Sequence, residues 1–535
     1  PLVLRLVLHQ PPQQPVCTGH LLAWHRHGLF MNMTQRTLRQ SPHAPRVRMD
    51  HAVIAKDQAS RSLNDVPKDR RLPHLATLLN SEAMKKRLQD RLRAPDGNPS
   101  PWLIRSCETI QIRYTPESSC LITYRLTIEH PATSERDELV LCGRAVPAGR
   151  SHAQWRTASA RHLVTPRLGP ALIHLPDIKM VLWNFPNHPR LHTLPTAIKA
   201  VHRTPTFLRD WLVSELGGRW HIGDTTAHVV HDIGEQTCTM RTSIACSHAD
   251  GHMRHTRTLL GTTYANDAGT RIVRVMRQLW NSASRRNGQF SVPQPLRYDA
   301  KLKTLWHWGI HGTTLDNHDL DCPASRRLLM KTAQAVAAFH STPLAHLRSM
   351  TRAKLMKRLE TAGSLLLQCQ PVCRVVLLPL LVRLTAQAKM IPVRPSATLH
   401  GELHTTHVEL TEGTVGLIGL HHVCTGHPGQ DLGSFVASLL SWGVARQASL
   451  SQMASHAQLF LDQYHQEIPL KMGPPVVAWF IAFALVTEHA YWCVTRLTSG
   501  RREMVKTLLT LADDISKTRS LNSVAWGRTR RSRIP

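Results

Sequence analysis

The stretch from Leu399 to Leu432 constrains the fold more than any other: L-H-G-E-L-H-T-T-H-V-E-L-T-E-G-T-V-G-L-I-G-L-H-H-V-C-T-G-H-P-G-Q-D-L. Two short apolar runs, Val408–Leu410 and Val415–Leu420, flank the turn Thr411-Glu412-Gly413-Thr414. Runs that short around a glycine-bearing turn predict a small β-hairpin. A polar, histidine-rich segment from His400 to His407 enters the first strand, and a second from His421 to Gly429 leaves the other. Loops held at both ends of a buried hairpin are where a rigid scaffold displays chemistry.

A repeat sets the organisation upstream. Ile112–Cys120 leads into a strand-like run, Leu121–Ile128, a charged turn and Leu139–Arg144. Val230–Cys238 leads into a second such run and Leu259–Thr262. The spacing from Cys120 to Gly143 equals that from Cys238 to Gly261, and Glu117 and Glu235 fall in register. Each unit follows a helical pattern (Leu72–Leu92, Phe207–Leu216) and precedes a strand ending in Leu-Trp (Met180–Trp183, Leu302–Trp306). Two tandem copies of one α+β unit are expected. The chain then divides into a disordered basic arm (1–70), a first unit (72–192), a second unit (195–305), a helical lobe bearing the hairpin (306–515) and a basic tail (516–535). Within that lobe, Leu365–Leu384 reads as a helix pair broken near Pro371 and Pro379.

The order and spacing around the hairpin resemble the aminoglycoside and choline kinase-like phosphotransferases, relatives of the protein kinases. That family's pattern is H-G-D-x-H-x-x-N, a hairpin, then I-D-[FWL]-x-[DE] and a later P-x-x-D-L. His400, Gly401, His404, Ile418, Leu420, Pro428, Asp431 and Leu432 stand at matching places. The resemblance implies an α+β, protein-kinase-like two-lobe fold, here with a duplicated N-lobe-like unit and a helical C-lobe. It implies ATP and Mg2+ as cofactors and phosphoryl transfer to a hydroxyl of a small-molecule acceptor. In that frame Gly234–Thr237 is the phosphate-covering turn, Leu260–Tyr264 the strand that carries a lysine, Thr270–Trp280 the following helix and Trp306–Gly309 the hinge.

The residues carrying chemistry depart from the pattern. Glu402 stands for the catalytic aspartate, His407 for the metal-binding asparagine and Gly419 for the metal-binding aspartate. Thr262 holds the lysine position, Arg144 its counterpart in the first copy, and Thr270–Trp280 has no acid to pair with a lysine. The resemblance makes Glu402 the residual base, His407 a poor metal ligand, and Thr262, Trp306 and Trp308 the nucleotide contacts, while His400 and Asp431 brace the loop. A glutamate in place of an aspartate sets the carboxylate one methylene further out, and a misplacement of ~1 Å can cost on the order of 100-fold. The expected function is therefore an impaired or inactive phosphotransferase, with a pseudokinase that binds without turnover as the alternative.

Composition adds a third reading. Lys and Arg number 66 against 36 Asp and Glu, a net charge of +30, which favours nucleotides, nucleic acid or other polyanions. Aromatics at 5% leave few platforms for stacking bases. His400, His404, His407, His421, His422 and His427 raise the alternative of a zinc site, since imidazole is a common zinc ligand. Eleven scattered cysteines without a C-x-x-C pair fit reduced thiols and a cytoplasmic setting. The most apolar run, Val476–Thr487, is shorter than the roughly 20 residues a span needs and reads as a buried helix.

Overall fold

The computed structural model describes residues 66–92, 101–202 and 220–524, less 167, 232–235, 249–253, 311, 321, 323, 393–395, 412, 470–471 and 498–500, together with the short strands Arg5–Leu6 and Arg46–Met49. Most of the arm expected over 1–70, the helix expected at Phe207–Leu216, and residues 525–535 of the expected tail lie outside the described residues. So do Gly234 and Glu235 of the expected covering turn Gly234–Thr237.

Helices α1 (Leu75–Leu79) and α2 (Ser81–Gln89) open the described chain. The single helical pattern expected here is split at Asn80, whose side chain accepts the Ala83 N–H and so caps α2. Leu75, Leu78, Met84 and Leu88 turn inward onto a sheet of five strands. These are β1 (Leu103–Thr115), β2 (Ser119–Glu129), β3 (Arg136–Ala145), β4 (Leu172–Leu175) and β5 (Met180–Asn184), with helix α3 (Arg150–Ser159) between β3 and β4. The order across the sheet is β1-β2-β3-β5-β4. The buried Tyr124 hydroxyl donates to Leu78 O at 2.7 Å and ties helix to sheet.

After helix α4 (Leu194–His202) a second sheet follows: β6 (Trp220–His231), β7 (Thr237–His248), β8 (Arg254–Tyr264), β9 (Pro295–Asp299) and β10 (Thr304–Trp308). Helix α5 (Ala268–Trp280) lies between β8 and β9. The order is β6-β7-β8-β10-β9, the pattern of the first sheet, and Arg5–Leu6 and Arg46–Met49 extend it beyond β6. The registers coincide as well. Cys120 pairs with Ala145 and Ile122 with Gly143, while Cys238 pairs with Thr263 and Met240 with Gly261. Gly143 then faces Leu182, and Gly261 faces Trp306.

Alternation along the strands decides what each face meets. Met240, Leu259, Trp306 and Trp308 of the second sheet pack with Leu194, Ala197 and Ile198 of α4 and with Leu121, Val140 and Cys142 of the first. Tyr264 and Leu305 point the other way and join the core shared with the helical lobe. The segment expected to be a hinge from Trp306 is therefore ladder through Trp308, and the Gly309 N–H still donates to Thr258 O at 2.9 Å.

The helical lobe comprises α6 (Ala324–His340), α7 (Arg352–Cys369), α8 (Arg374–Gln387), α9 (Gly429–Arg446), α10 (Leu450–Glu467), α11 (Pro474–Ala484), α12 (Tyr491–Thr495) and α13 (Arg501–Thr518). A π-helical turn, Leu485–Ala490, joins α11 to α12. The break at Pro371 is present, but α8 runs through Pro379. Pro379 lies on the exposed side, beside Val375 and Val382 at 82% and 71% exposure, where water can take up the carbonyl that proline leaves without a partner. Among the described residues, two helices are long and apolar enough to cross a membrane, Pro371–Met390 and Pro474–Thr495, and 83% of the second window is buried inside the fold. Short strands complete the lobe, among them β11 (Ala397–Leu399), β12 (Val408–Leu410), β13 (Val415–Leu417) and β14 (Cys424–Gly426). β12 and β13 form the hairpin, and β11 pairs with β14 across its base.

The equivalent glycines make a differential test. A Cβ at Gly261 would lie 2.3 Å from the buried Trp306 ring, and one at Gly143 would lie 2.1 Å from the terminal methyl of Met180. The indole has no room to yield, whereas a methionine end can turn aside. Gly261→Ala is expected to destabilise by about 1–3 kcal/mol, and Gly143→Ala by less. Urea midpoints of the two variants check this, and equal shifts would contradict it.

Candidate functional site

The site is built on one buried carboxylate. Asp431, fully buried in the first turn of α9, accepts the His400 N–H at 2.6 Å and the Gly401 N–H at 2.9 Å. The same carboxylate takes the His340 Nε2–H at 3.1 Å, and His340 Nδ1 lies 2.7 Å from the Tyr464 hydroxyl. Helices α6, α9 and α10 are thereby joined to the loop that follows β11. Gly401 turns that loop with φ +84, where any Cβ would meet His422 O at 2.3 Å. The buried His400 ring donates from Nε2 to Ile418 O at 2.7 Å, and burial lowers its affinity for a proton.

Glu402 follows directly and is partly exposed. Its carboxylate lies 3.2 Å from Nε2 of the more exposed His422. His407 donates from Nδ1 to Glu402 O at 2.6 Å, and its ring stacks between those of His400 and His404 at 5.2 and 5.5 Å. Gly419 ends the hairpin at φ +76, and a Cβ there would stand 2.8 Å from His407 Cδ2 and 2.9 Å from its Nε2. The imidazole therefore occupies the space beside Gly419 where a side chain at that position would begin. Mg2+ wants near-octahedral oxygen ligands. Glycine offers none and His407 offers one nitrogen, so these residues do not fit the ion.

The second sheet meets this loop through side chains that the motifs do not contain. Tyr264 O–H and His421 Nδ1 are 3.1 Å apart. From α5, Arg271 donates to His421 O at 2.7 Å and to Val423 O at 3.3 Å. An arginine thus reaches from the helix that lacks an acidic residue. Thr262 shares the face of Tyr264 by alternation and is buried, its hydroxyl 2.9 Å from that of Thr239. Trp306 and Trp308 do not share it. Their rings lie in the layer between the two sheets, so the nucleotide contact expected of these side chains is not available there. Large aromatic side chains at alternate positions of a central strand are drawn into whichever face is dry.

The histidines do not converge on one point. His421 meets Tyr264, His422 meets Glu402, and His427 stacks on Phe480 at 5.0 Å. Among the described residues, the one set of potential ligand atoms close together is His404, Glu488 and His489, within 4.8 Å. Glu488 is already committed: Oε1 accepts from Arg358 and Ser434 at 3.0 and 3.1 Å, and Oε2 lies 3.0 Å from His404 Nε2. Burial by itself would raise the Glu488 carboxyl, but the His404 hydrogen bond and charge, with Arg358, bring it down to about 2. An arginine in contact with the carboxylate makes this a buried ion-pair cluster and a poor cation site. No local spacing could have announced it, since the partners come from three helices and the loop.

Two outcomes follow. Asp431→Ala strands two buried N–H groups and is expected to cost at least ~2 kcal/mol, while Glu402→Ala, at a partly exposed ion pair, costs ~0.5 kcal/mol or less. Equal urea midpoints would refute the difference. Burial also holds His427 at about 4 and His489 at about 3, below the ordinary 6.5. The unfolded chain takes up these protons first, so stability that is full above 6.5 drains away as pH falls toward these folded values. Glu488 adds to the loss only as pH falls below its ordinary 4.5. The urea midpoint should therefore drop between about pH 7 and about pH 5, and a flat midpoint over that range would contradict the assignment.

Residues 262–469 match the model of the phosphotransferase enzyme family. No curated protein matches the chain. Among solved structures, the chain is similar to a thermostable mutant of aminoglycoside phosphotransferase APH(4)-Ia, at 14% identity over 58% of this chain and 98% of that one, with a TM-score of 0.39. It is similar to macrolide 2'-phosphotransferase type I at 15% identity, covering 57% and 96%, with a TM-score of 0.35. A choline/ethanolamine kinase family protein from Mesorhizobium loti gives 14% identity, coverage of 53% and 90%, and a TM-score of 0.38. The family match begins at Thr262 on β8 and runs through the loop, the hairpin, α9 and α10.

Proposed function

We propose that the chain is an aminoglycoside and choline kinase-like phosphotransferase whose metal-dependent turnover is impaired or lost, its cleft retained for binding. The observation that carries this is the pairing of His407 with Gly419. The imidazole fills the space where a metal-holding carboxylate would stand, and the glycine has no side chain to replace it. Phosphoryl transfer rests on positioning and on metal ions neutralising the phosphates. With neither ligand suited to Mg2+, the partly exposed Glu402 has little left to act on as a base. The intact loop, held by Asp431, supports a cleft kept for recognition. Thr262 contributes a hydroxyl where the family has a cation, so any nucleotide held there relies on other groups. The twin order and register of the two sheets support reading residues 72–192 and 195–305 as tandem copies of one N-lobe-like unit. The third reading, a binder of nucleic acid or other polyanions, rests on the +30 charge alone.

Calorimetry with ATP at ~150 mM salt, in the presence of Mg2+ and again with EDTA, tests the proposal, since moderate salt suppresses loose charge attraction. Binding that is indifferent to EDTA, with no ATP turnover, is expected. Binding that requires Mg2+, phosphoryl transfer at the ~1–100 per second typical of kinases, or no binding at all would overturn it. Restoring the motif must respect the packing. Gly419→Asp alone is expected to destabilise, because φ is +76 and the His407 ring stands in the way. Combined with His407→Asn it should recover most of that loss, and a double variant no more stable than the single one would contradict the shared-space argument.

A further inference from the structure

Helix α8 turns an apolar face to the outside of the helical lobe. Its inner positions Leu377, Leu380 and Leu384 are fully buried, and the Trp479 indole of α11 donates to Leu384 O at 2.8 Å. On the other side Val372, Val375, Val382 and Met390 are exposed. Pro379 and Ala386 are exposed as well, and helical spacing sets Val375, Pro379, Val382 and Ala386 in one row. The run Pro371–Met390 is apolar enough to cross a membrane, yet only 33% of its window is buried, against 83% for Pro474–Thr495. Single exposed apolar side chains are ordinary, whereas a row of them along one helix marks a surface for docking.

Cations gather at both ends of the row. Arg374 is exposed at its start and Lys389 at its end. The exposed Arg352 of α7 donates to Ala388 O and Lys389 O at 3.5 Å, which brings a third cation to the far end. Lys506 of α13 is exposed and stands near enough to Cys373 for its charge to act on that thiol. The sequence is short of acids in this region, with neither Asp nor Glu from Thr361 to Gly401. On α13, Asp513 is held by Arg383 at 2.6 Å and by Lys517 at 2.5 Å. The exposed Glu503 sits in the same two turns as Arg501, Arg502 and Lys506, so that end of α13 stays net positive.

We infer that this face rests on an anionic phospholipid surface, with α8 lying in the plane of the interface. The valines enter the boundary of the acyl chains, and the flanking arginine and lysine side chains reach back to the phosphates of the headgroups. The buried inner face keeps α8 on the lobe, so the helix lies on the bilayer and does not cross it. A shallow position also leaves hydrated headgroups within reach of the carbonyl that Pro379 opens. A second copy of the chain is a poorer occupant. The row is one helix wide and about 27 Å long at 1.5 Å per residue, well short of the ~800 Å2 that each partner of a stable dimer buries.

Co-sedimentation of the full chain with vesicles tests this, with phosphatidylcholine alone and with phosphatidylcholine containing phosphatidylserine, at ~150 mM salt. Binding to the phosphatidylserine vesicles is expected, and binding at least about tenfold weaker to phosphatidylcholine alone. Val375→Ser combined with Val382→Ser leaves the net charge unchanged and should weaken binding at least about tenfold. Both positions are exposed, so the urea midpoint should stay put, which separates lost docking from lost fold. Arg374→Gln combined with Lys389→Gln should weaken binding severalfold, while the same charge removed at the exposed Arg326 and Arg327 of α6 should leave it unchanged. No binding, binding that the serine pair leaves intact, an equal loss from the α6 pair, or a dimer in sedimentation velocity that the serine pair dissolves would overturn the assignment.

Discussion

The loop, the hairpin and three helices depend on the carboxylate of Asp431. Its oxygens receive two consecutive backbone N–H groups and an imidazole in a site with no exposure. A buried acceptor with all its donors in place is rigid, because every alternative arrangement leaves a polar group without a partner. The left-handed turn at Gly401 follows from the same demand, since both N–H groups can aim at one carboxylate only if the chain turns sharply there. The loop is thereby held entirely by groups of the chain itself.

The changes at positions 407 and 419 are physically a single change. A histidine fits where it is because residue 419 has no Cβ, and a glycine at 419 leaves a void unless something fills it. His407 fills it while stacking on two neighbouring rings and donating to Glu402 O. The His407 ring thus stands where a side chain at 419 would begin. Arg271 and Tyr264 fasten the second sheet onto this loop.

What was legible in the sequence and what was not divides by range. Strand alternation and the matched Cys-to-Gly spacings located β2, β3, β7 and β8, because both are properties of adjacent residues. The hairpin was legible for the same reason. The hinge was set too early, since a Leu-Trp run reads alike whether its aromatic rings line a cleft or fill a dry layer, and only the neighbouring sheet decides. Helix α8 passes Pro379 because that residue lies on the solvent side, a fact of tertiary placement. The Glu488 cluster and the Arg271 clamp join residues far apart in sequence, and no spacing foretells such contacts. Histidine abundance was a misleading signal: residues that crowd one loop in sequence point to different partners in space.

The two sheets show how one topology serves two surroundings. On the second sheet the face bearing Thr262 and Tyr264 looks onto the helical lobe, and the opposite face holds Trp306 and Trp308. On the first, the face with Met180 and Leu182 lies on α1 and α2, and the face with Leu121 and Cys142 looks toward the second sheet. The corresponding face is thus capped by a lobe in one case and by a neighbouring sheet unit in the other. The cap determines which side chains the strand can hold. Against the lobe, position 262 is buried beside Thr239, and a hydroxyl pair satisfies it. In the first unit, position 144 is only half-buried. At matching points of the two sheets, the buried position carries a threonine and the half-buried one an arginine.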